Sequence, residues 1–261
     1  MRPALFLHPQ KTAGSSVVAM ATQHYGVDQV ASHGDFASED ITRKQFISGH
    51  FGFSFAQPLL AERFAFTFLR DPVDRVISLY NFCRSQGGYQ YPTYLAAKRW
   101  NIEEFVENAG RKPTSTFAIG DAMLVHEAVW NNLTWQLAHG WFHNMNEDRK
   151  TVLDIESSLL LETAKNNLRQ FDYVGTTETF SADCRVIFEE LAMRQPALIA
   201  RENMGSQHIK RQDIPLRILN KIHEITELDA ELYVLAKKLR KHLHLKFKLK
   251  QGLRRASNWI G

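Results

Sequence analysis

Two stretches, Ala4–Leu7 (ALFL) and Phe64–Leu69 (FAFTFL), are apolar on both faces, as expected of strands in a parallel sheet covered by helices on each side. Each gives way to a helical pattern. Asp71-Pro72 supplies an N-cap carboxylate and a proline already at helical φ, so a helix is predicted over 72–84. Residues 46–55 (FISGHFGFSF) are short and punctuated by glycine, which reads as a strand ending in a loop. The chain turns near 89–92, and residues 102–108 and 123–139 carry helical spacing. A further strand fits 173–175, with Ser181 placed to cap a helix through 193. From Pro215 the apolar positions Leu216, Leu219, Ile222, Leu228, Leu232, Leu235 and Leu239 again keep helical spacing. Alternating strands and helices predict an α/β fold with a doubly wound, mostly parallel sheet flanked by helices.

Composition narrows this picture. The 261 residues are expected to form one domain, and 44% hydrophobic content with 17 Phe and 5 Trp is enough for a sizeable core. Cys83 and Cys184 show no metal-site spacing and are expected to be reduced. No stretch approaches the ~18 apolar residues of a membrane span, and the first residues lack a signal-like apolar region, so a soluble, cytoplasmic protein is expected. The net charge of +4 is uneven. Lys237, Lys238, Arg240, Lys241, Lys246, Lys248, Lys250, Arg254 and Arg255 lie within a basic segment, 237–261, and the remainder of the chain is net acidic. Within that segment Leu243, Leu245, Phe247 and Leu249 alternate with polar residues, which suits either an extended strand or the end of the preceding helix.

Chemistry enters at the first strand-to-helix join, LFLHPQKTAGSSVV. The first turn of a helix has unpaired N–H groups and partial positive charge, and such a site attracts an anion. Lys11 adds a full charge, Gly14 lets the backbone curl around a ligand, and Thr12, Ser15 and Ser16 offer hydroxyls, with Ala13 between them. Taken alone, the same residues suit a serine-capped helix beside a solvated lysine. Lys11 follows Gln10, and the first ten residues contain no glycine, so the Walker pattern of a P-loop kinase is missing; no G-x-G-x-x-G follows a strand either. The second join, FTFLRDPVDRVISLYNF, puts Arg70 at the carboxyl end of a strand and Ser78 two turns into a helix, where open α/β sheets hold ligands. Arg70 can fork onto a second phosphate or pair with Asp71 or Asp74.

With both joins in view, the chain resembles the sulfotransferases, especially the carbohydrate-type families that include heparan sulfate 2-O-sulfotransferases and bacterial relatives. HPQKTAGSS is similar to their 5′-phosphosulfate loop and FLRDPVDRVISLY to their 3′-phosphate motif; YVGTTETF and ELDAELYVLAKKL resemble later segments more loosely. The resemblance implies a P-loop-like fold and transfer of a sulfuryl group from 3′-phosphoadenosine 5′-phosphosulfate to a hydroxyl, less readily an amine, with no metal. It assigns Lys11, Thr12, Ala13, Gly14, Ser15 and Ser16 to the phosphosulfate, and Arg70 and Ser78 to the 3′-phosphate. Gln10 departs from the proline often found before the lysine. His50, in GHFGF, falls where the related 2-O-sulfotransferases carry a catalytic histidine, and His8 is a second candidate base. RENMGSQHIKR lies where the family closes a late loop over the nucleotide, which brings in Arg201 and Ser206.

The acceptor implied is a glycan or another hydroxyl compound. Trp100, Trp130, Trp135 and Trp141 could line its site or belong to the core. The basic segment could recruit an anionic surface, and a non-catalytic anion- or membrane-binding module led by it is a competing reading. No aromatic-interleaved motif points to a specific nucleic acid.

Overall fold

A computed structural model describes residues 2–32, 41–87, 91–110, 121–140, 150–194 and 208–257. In chain order the elements are β1 (Ala4–Leu7), α1 (Gly14–Tyr25), β2 (Val30–Ser32), β3 (Phe46–Gly49), α2 (Phe53–Ala56), β4 (Phe64–Leu69), α3 (Pro72–Ser85), α4 (Pro92–Arg99), α5 (Ile102–Ala109), α6 (Asp121–Val129), α7 (Asn132–Ala138), α8 (Ser157–Leu168), β5 (Tyr173–Thr176), α9 (Phe180–Glu190), α10 (Leu216–Ile225) and α11 (Glu227–Ser257). The strands form one sheet in the order β2-β3-β1-β4-β5, with every pairing parallel.

Strand periodicity divides the core. Leu5, Leu7, Ile47, Ala65, Leu69 and Val174 point to one face, against α7, α8 and α11. Ala4, Phe6, Phe46, Phe64, Phe66, Phe68 and Tyr173 point to the other, against α1 and α9. Phe6 and Phe66 stack with ring centroids 4.8 Å apart, and Phe68 meets both of them edge to face. A third apolar cluster joins α3, α4, α5, α6 and α10. Both faces of the sheet are therefore covered, as the continuous apolar strands require.

The predicted helix over 123–139 is two helices. Asn131, at φ 39°, adopts the left-handed conformation between α6 and α7. Its side chain accepts from the amides of Leu228 (3.0 Å) and Asp229 (3.4 Å), capping α11. Asp229 in turn accepts from the amides of Leu133 (3.2 Å) and Thr134 (2.8 Å), capping α7. Fully buried Arg75, on α3, donates to the Ala128 and Val129 carbonyls that end α6 and to Asn132 Oδ1. The break is held by side chains from two other places in the chain, α3 and α11, so local spacing does not reveal it.

Other expectations shift less. The strand at 46 stops at Gly49, and the helical turn α2 occupies 53–56 in place of a loop. Helix α9 begins at Phe180 with Thr179 at the N-cap, so Ser181 lies inside its first turn, and it ends at Glu190 before a left-handed Ala192. The helical spacing from Pro215 divides into α10 and α11 around buried Thr226, whose hydroxyl donates to Ile222 O. The basic segment is helical through Ser257.

Helix, not strand, geometry decides which of its leucines are buried. Leu235, Leu239, Leu243, Phe247 and Gln251 share an i, i+4 stripe facing inward, while Leu245 and Leu249 turn outward. Arg240 Nε donates to buried Asp183 at 2.8 Å, and the same carboxylate accepts from Tyr173 OH and Thr179 Oγ1. Lys250 pairs with Glu190 at 2.7 Å.

Candidate functional site

The sheet order places β1 between β3 and β4, so the segments leaving the carboxyl ends of these three strands are neighbours. Register sharpens this: Leu7 is opposite Gly49 on β3 and Thr67 on β4. The residues that follow, His8 and His50, therefore meet, with ring centroids 4.3 Å apart. Four residues beyond Leu7 is Lys11, and three beyond Thr67 is Arg70.

The Lys11 loop is built by unusual backbone. Lys11 (φ 66°) and Ala13 (φ 69°) are left-handed, each costing about 1–2 kcal/mol for a residue with a Cβ. Thr12, between them, is fully buried and donates its hydroxyl to Pro9 O at 2.7 Å, closing the turn. Gly14 is not the residue that bends; it begins α1. It is required by packing, because a Cβ there would stand 1.7 Å from the His8 ring. Ala13, at the N-cap, makes no side-chain cap, and the first turn of α1 holds no acid. The first amides of α1 thus meet the loop with dipole and lysine of the same sign. Ser15 is exposed and Ser16 buried at the start of this helix.

Arg70 joins the same place. Its Nη1 reaches Lys11 O at 3.4 Å, so the two cationic residues lie on one edge of the sheet. On α3 the i, i+4 spacing aligns Asp74, half-buried Ser78 and Phe82, and Lys11 Nζ sits over the Phe82 ring, 3.5 Å from its centroid. Burial lowers the Lys11 pKa to about 8, and neighbouring Arg70 adds to the lowering. Burial likewise lowers Arg70, against the pull of Asp74, Glu178 and Asp71. The Cys83 thiol beneath is pushed up by burial to about 12 and is protonated at neutral pH.

Acids complete the arrangement. Asp71 caps α3 by accepting from the Asp74 amide at 3.2 Å, and its own amide donates to Glu178 at 3.4 Å. Burial would raise Glu178, but hydrogen bonds from Tyr233 and the Asp71 amide hold it below the usual carboxylate value. Burial, then the proximity of Asp71, raises Asp74, while Arg211 opposes the shift. Arg211 lies 3.2 Å from Asp71 and 3.5 Å from Asp74. Glu178 and Tyr233 belong to the YVGTTETF and ELDAELYVLAKKL stretches, which the fold thus brings together at Arg70.

His50 is half-buried. Its Nδ1 lies 2.6 Å from His8 O, and because a carbonyl can only accept, Nδ1 carries the proton and the neutral ring's lone pair falls on Nε2. Gln136 donates to Phe51 O at 2.8 Å and reaches His8 O at 3.4 Å, tying the exits of β1 and β3 to α7. His8 itself is buried against Phe6 and Gly14.

Lys11, Thr12, Ala13, Gly14, Ser15, Ser16, His50, Arg70 and Ser78 are gathered at one end of the sheet by β1, β3, β4 and the helices that follow. Arg201 and Ser206 lie outside the described residues, as does Trp141. Trp135 is core, and Trp100 and Trp130 pack against the third apolar cluster, so these three brace helices. Sequence reasoning passed over Phe82, Gln136, Glu178, Arg211 and Tyr233. The looser resemblance of two late segments was the available signal for Glu178 and Tyr233.

A parallel α/β sheet whose central strand opens into an uncapped helix, with lysine and arginine side by side, defines a P-loop-like α/β protein. A model of the sulfotransferase family matches residues 4–236, from β1 into α11. The chain belongs to the sulfotransferase family. No curated protein matches it. Among the described residues no group of His, Cys, Asp and Glu is arranged to hold a metal, and no helix is long and apolar enough to cross a membrane. Cys83 and Cys184 are buried free thiols.

Proposed function

We propose that the chain acts as one catalytic domain over 1–261 that moves the sulfuryl group of 3′-phosphoadenosine 5′-phosphosulfate to an acceptor hydroxyl, a carbohydrate first. The observation that carries this reading is the meeting of Lys11, the uncapped start of α1 and Arg70 on one edge of the sheet. In this reading the Lys11–Ser16 loop holds the 5′-phosphosulfate through backbone N–H groups and the serine hydroxyls. Thr12 serves as the clamp of that loop. Arg70 and Ser78 take the 3′-phosphate, helped by Arg201 and Ser206. Glu178, Asp71 and Asp74 hold the Arg70 guanidinium until the phosphate replaces part of their pull.

His50 Nε2 accepts the acceptor's proton as the hydroxyl oxygen forms its bond to sulfur. The bond between sulfur and the 5′-phosphate oxygen breaks, its electron pair stays on that oxygen, and Lys11 and the α1 amides stabilise the resulting charge. Positioned cations and amides supply the charge stabilisation, so the assignment includes no metal. Two reduced, buried thiols accord with a cytoplasmic setting.

The test is transfer from radiolabelled donor to a panel of glycans and small hydroxyl compounds. Lys11→Ala is expected to lower turnover about 10²- to 10³-fold, and His50→Ala about 10²- to 10⁴-fold. Normal turnover in both variants would defeat the residue roles. Label transfer from ATP in the presence of magnesium, with none from the phosphosulfate donor, would defeat the reaction.

A further inference from the structure

The outer face of α11 carries a feature that the sheet edge does not use. Leu245, Leu249 and Leu253 are 61%, 62% and 72% exposed and follow one another at i, i+4 and i+8, forming an apolar row along the helix. His242, Lys246 and Lys250 line the shallow groove beside it. Helical spacing sets Lys241 and Lys248 along its other flank, and both are exposed. The opposite side of the same turns is occupied: Leu243 and Phe247 pack into the core, and buried Gln251 donates to Val186 O. Alternation of leucine and lysine in the sequence is thus converted by the helix into a core seam and a basic apolar face.

Charge selects the occupant. No acidic residue follows Glu231 in the sequence. Lys250 is already held by Glu190 of α9, and pairing this face with a second copy of itself would set Lys241, Lys246 and Lys248 against their own kind with no carboxylate from this stretch of α11 to separate them. A purely polyanionic partner such as nucleic acid would satisfy the lysines and leave three large leucines against phosphate and water. One surface offers anionic groups directly above an apolar layer. We propose that the outer face of α11 docks on an anionic lipid bilayer, with Leu245, Leu249 and Leu253 entering the acyl boundary and Lys241, Lys246 and Lys248 meeting the headgroups.

The docking face is separate from the proposed catalytic site. Tyr233, which reaches Glu178, and Leu249 are sixteen residues apart on one helix, about 24 Å along its axis. Near its far end Phe247 packs against Phe64, at the start of β4, whereas Arg70 lies beyond that strand's end.

Vesicle co-sedimentation of the full chain tests the proposal. The probes are vesicles of phosphatidylcholine alone and of three parts phosphatidylcholine to one part phosphatidylglycerol. The wild-type chain is expected to sediment with the anionic vesicles, at least about tenfold more tightly than with neutral ones, and to be released by raising salt. Leu245→Gln/Leu249→Gln/Leu253→Gln and Lys241→Gln/Lys246→Gln/Lys248→Gln are each expected to lose about tenfold or more in binding. Their melting temperatures should be unchanged, because none of the six side chains is buried. A wild-type chain that stays in the supernatant, or binds both vesicles equally, overturns the proposal. So does undiminished binding by the leucine variant, or a lipid-free dimer in light scattering that the leucine variant abolishes.

Discussion

Lys11 is the residue on which most of the chemistry turns, and its environment makes a directional prediction. Burial lowers its pKa to about 8 from 10.5, so the folded chain binds fewer protons than the unfolded chain between these values. The cost of burying the charge is present below about pH 8, and this residue's contribution makes stability rise with pH through that window. Ligand binding runs the other way. A bound phosphate favours the ammonium, so affinity for adenosine 3′,5′-bisphosphate should be level between about pH 7 and 8, where its phosphates are already dianionic, and fall above that by up to tenfold per unit. Lys11→Arg should flatten this dependence while keeping affinity; a flat curve for the wild-type chain would contradict the assignment. Gly14→Ala should destabilise the chain by about 1–3 kcal/mol in denaturant titrations, and by less in a His8→Ala background, because the clash is with that ring. Equal costs in the two backgrounds would show that the ring is not the cause. Lys11 and Arg70 were legible because strand-to-helix joins are readable from apolar runs, and position at a strand's carboxyl end gives a charged residue meaning; His50 was picked out by the resemblance of its Gly-His segment. The left-handed backbone at Lys11 and Ala13 was not, since neither is glycine; the unusual conformation sits beside the glycine instead of on it.

Among the elements, α11 shows where reading the chain locally stops. Leu243 through Leu249 alternate with period two and also satisfy helical spacing, so the pattern alone permits strand or helix. Asp183, Glu190 and the Val186 carbonyl decide between them from α9, more than fifty positions earlier. Asp183→Ala removes the acceptor for Arg240, Tyr173 and Thr179 together. It should cost about 3–5 kcal/mol and speed amide exchange in the second half of α11 more than in α7. Uniform exchange rates would show that Asp183 does not anchor the helix. The break between α6 and α7 has the same character. Arg75→Met leaves the Ala128 and Val129 carbonyls without their donor and takes away the charge facing buried Asp229, and it should lower stability by about 3 kcal/mol or more in thermal melts. Wild-type stability in this variant would contradict the role of Arg75 as the fastener of the break.

Across the whole molecule, the functional reading depends on topology more than on any one motif. The two joins are almost sixty residues apart in sequence, and β1 and β4 become neighbours because the chain leaves β1 toward β2 and β3 and then crosses back. A parallel sheet was predictable from continuous apolar strands, and the alternation of strand and helix gave the fold class. Strand order was not, because it is set by how the helices cover both faces. Calorimetric titration with adenosine 3′,5′-bisphosphate beside AMP measures directly whether the two cationic residues act on one ligand. The bisphosphate should bind the wild-type chain at least about tenfold more tightly than AMP; Arg70→Ala should erase that preference, and Lys11→Ala should weaken both ligands. Equal affinity for the two nucleotides, or a preference that survives Arg70→Ala, would contradict a site that spans both phosphates.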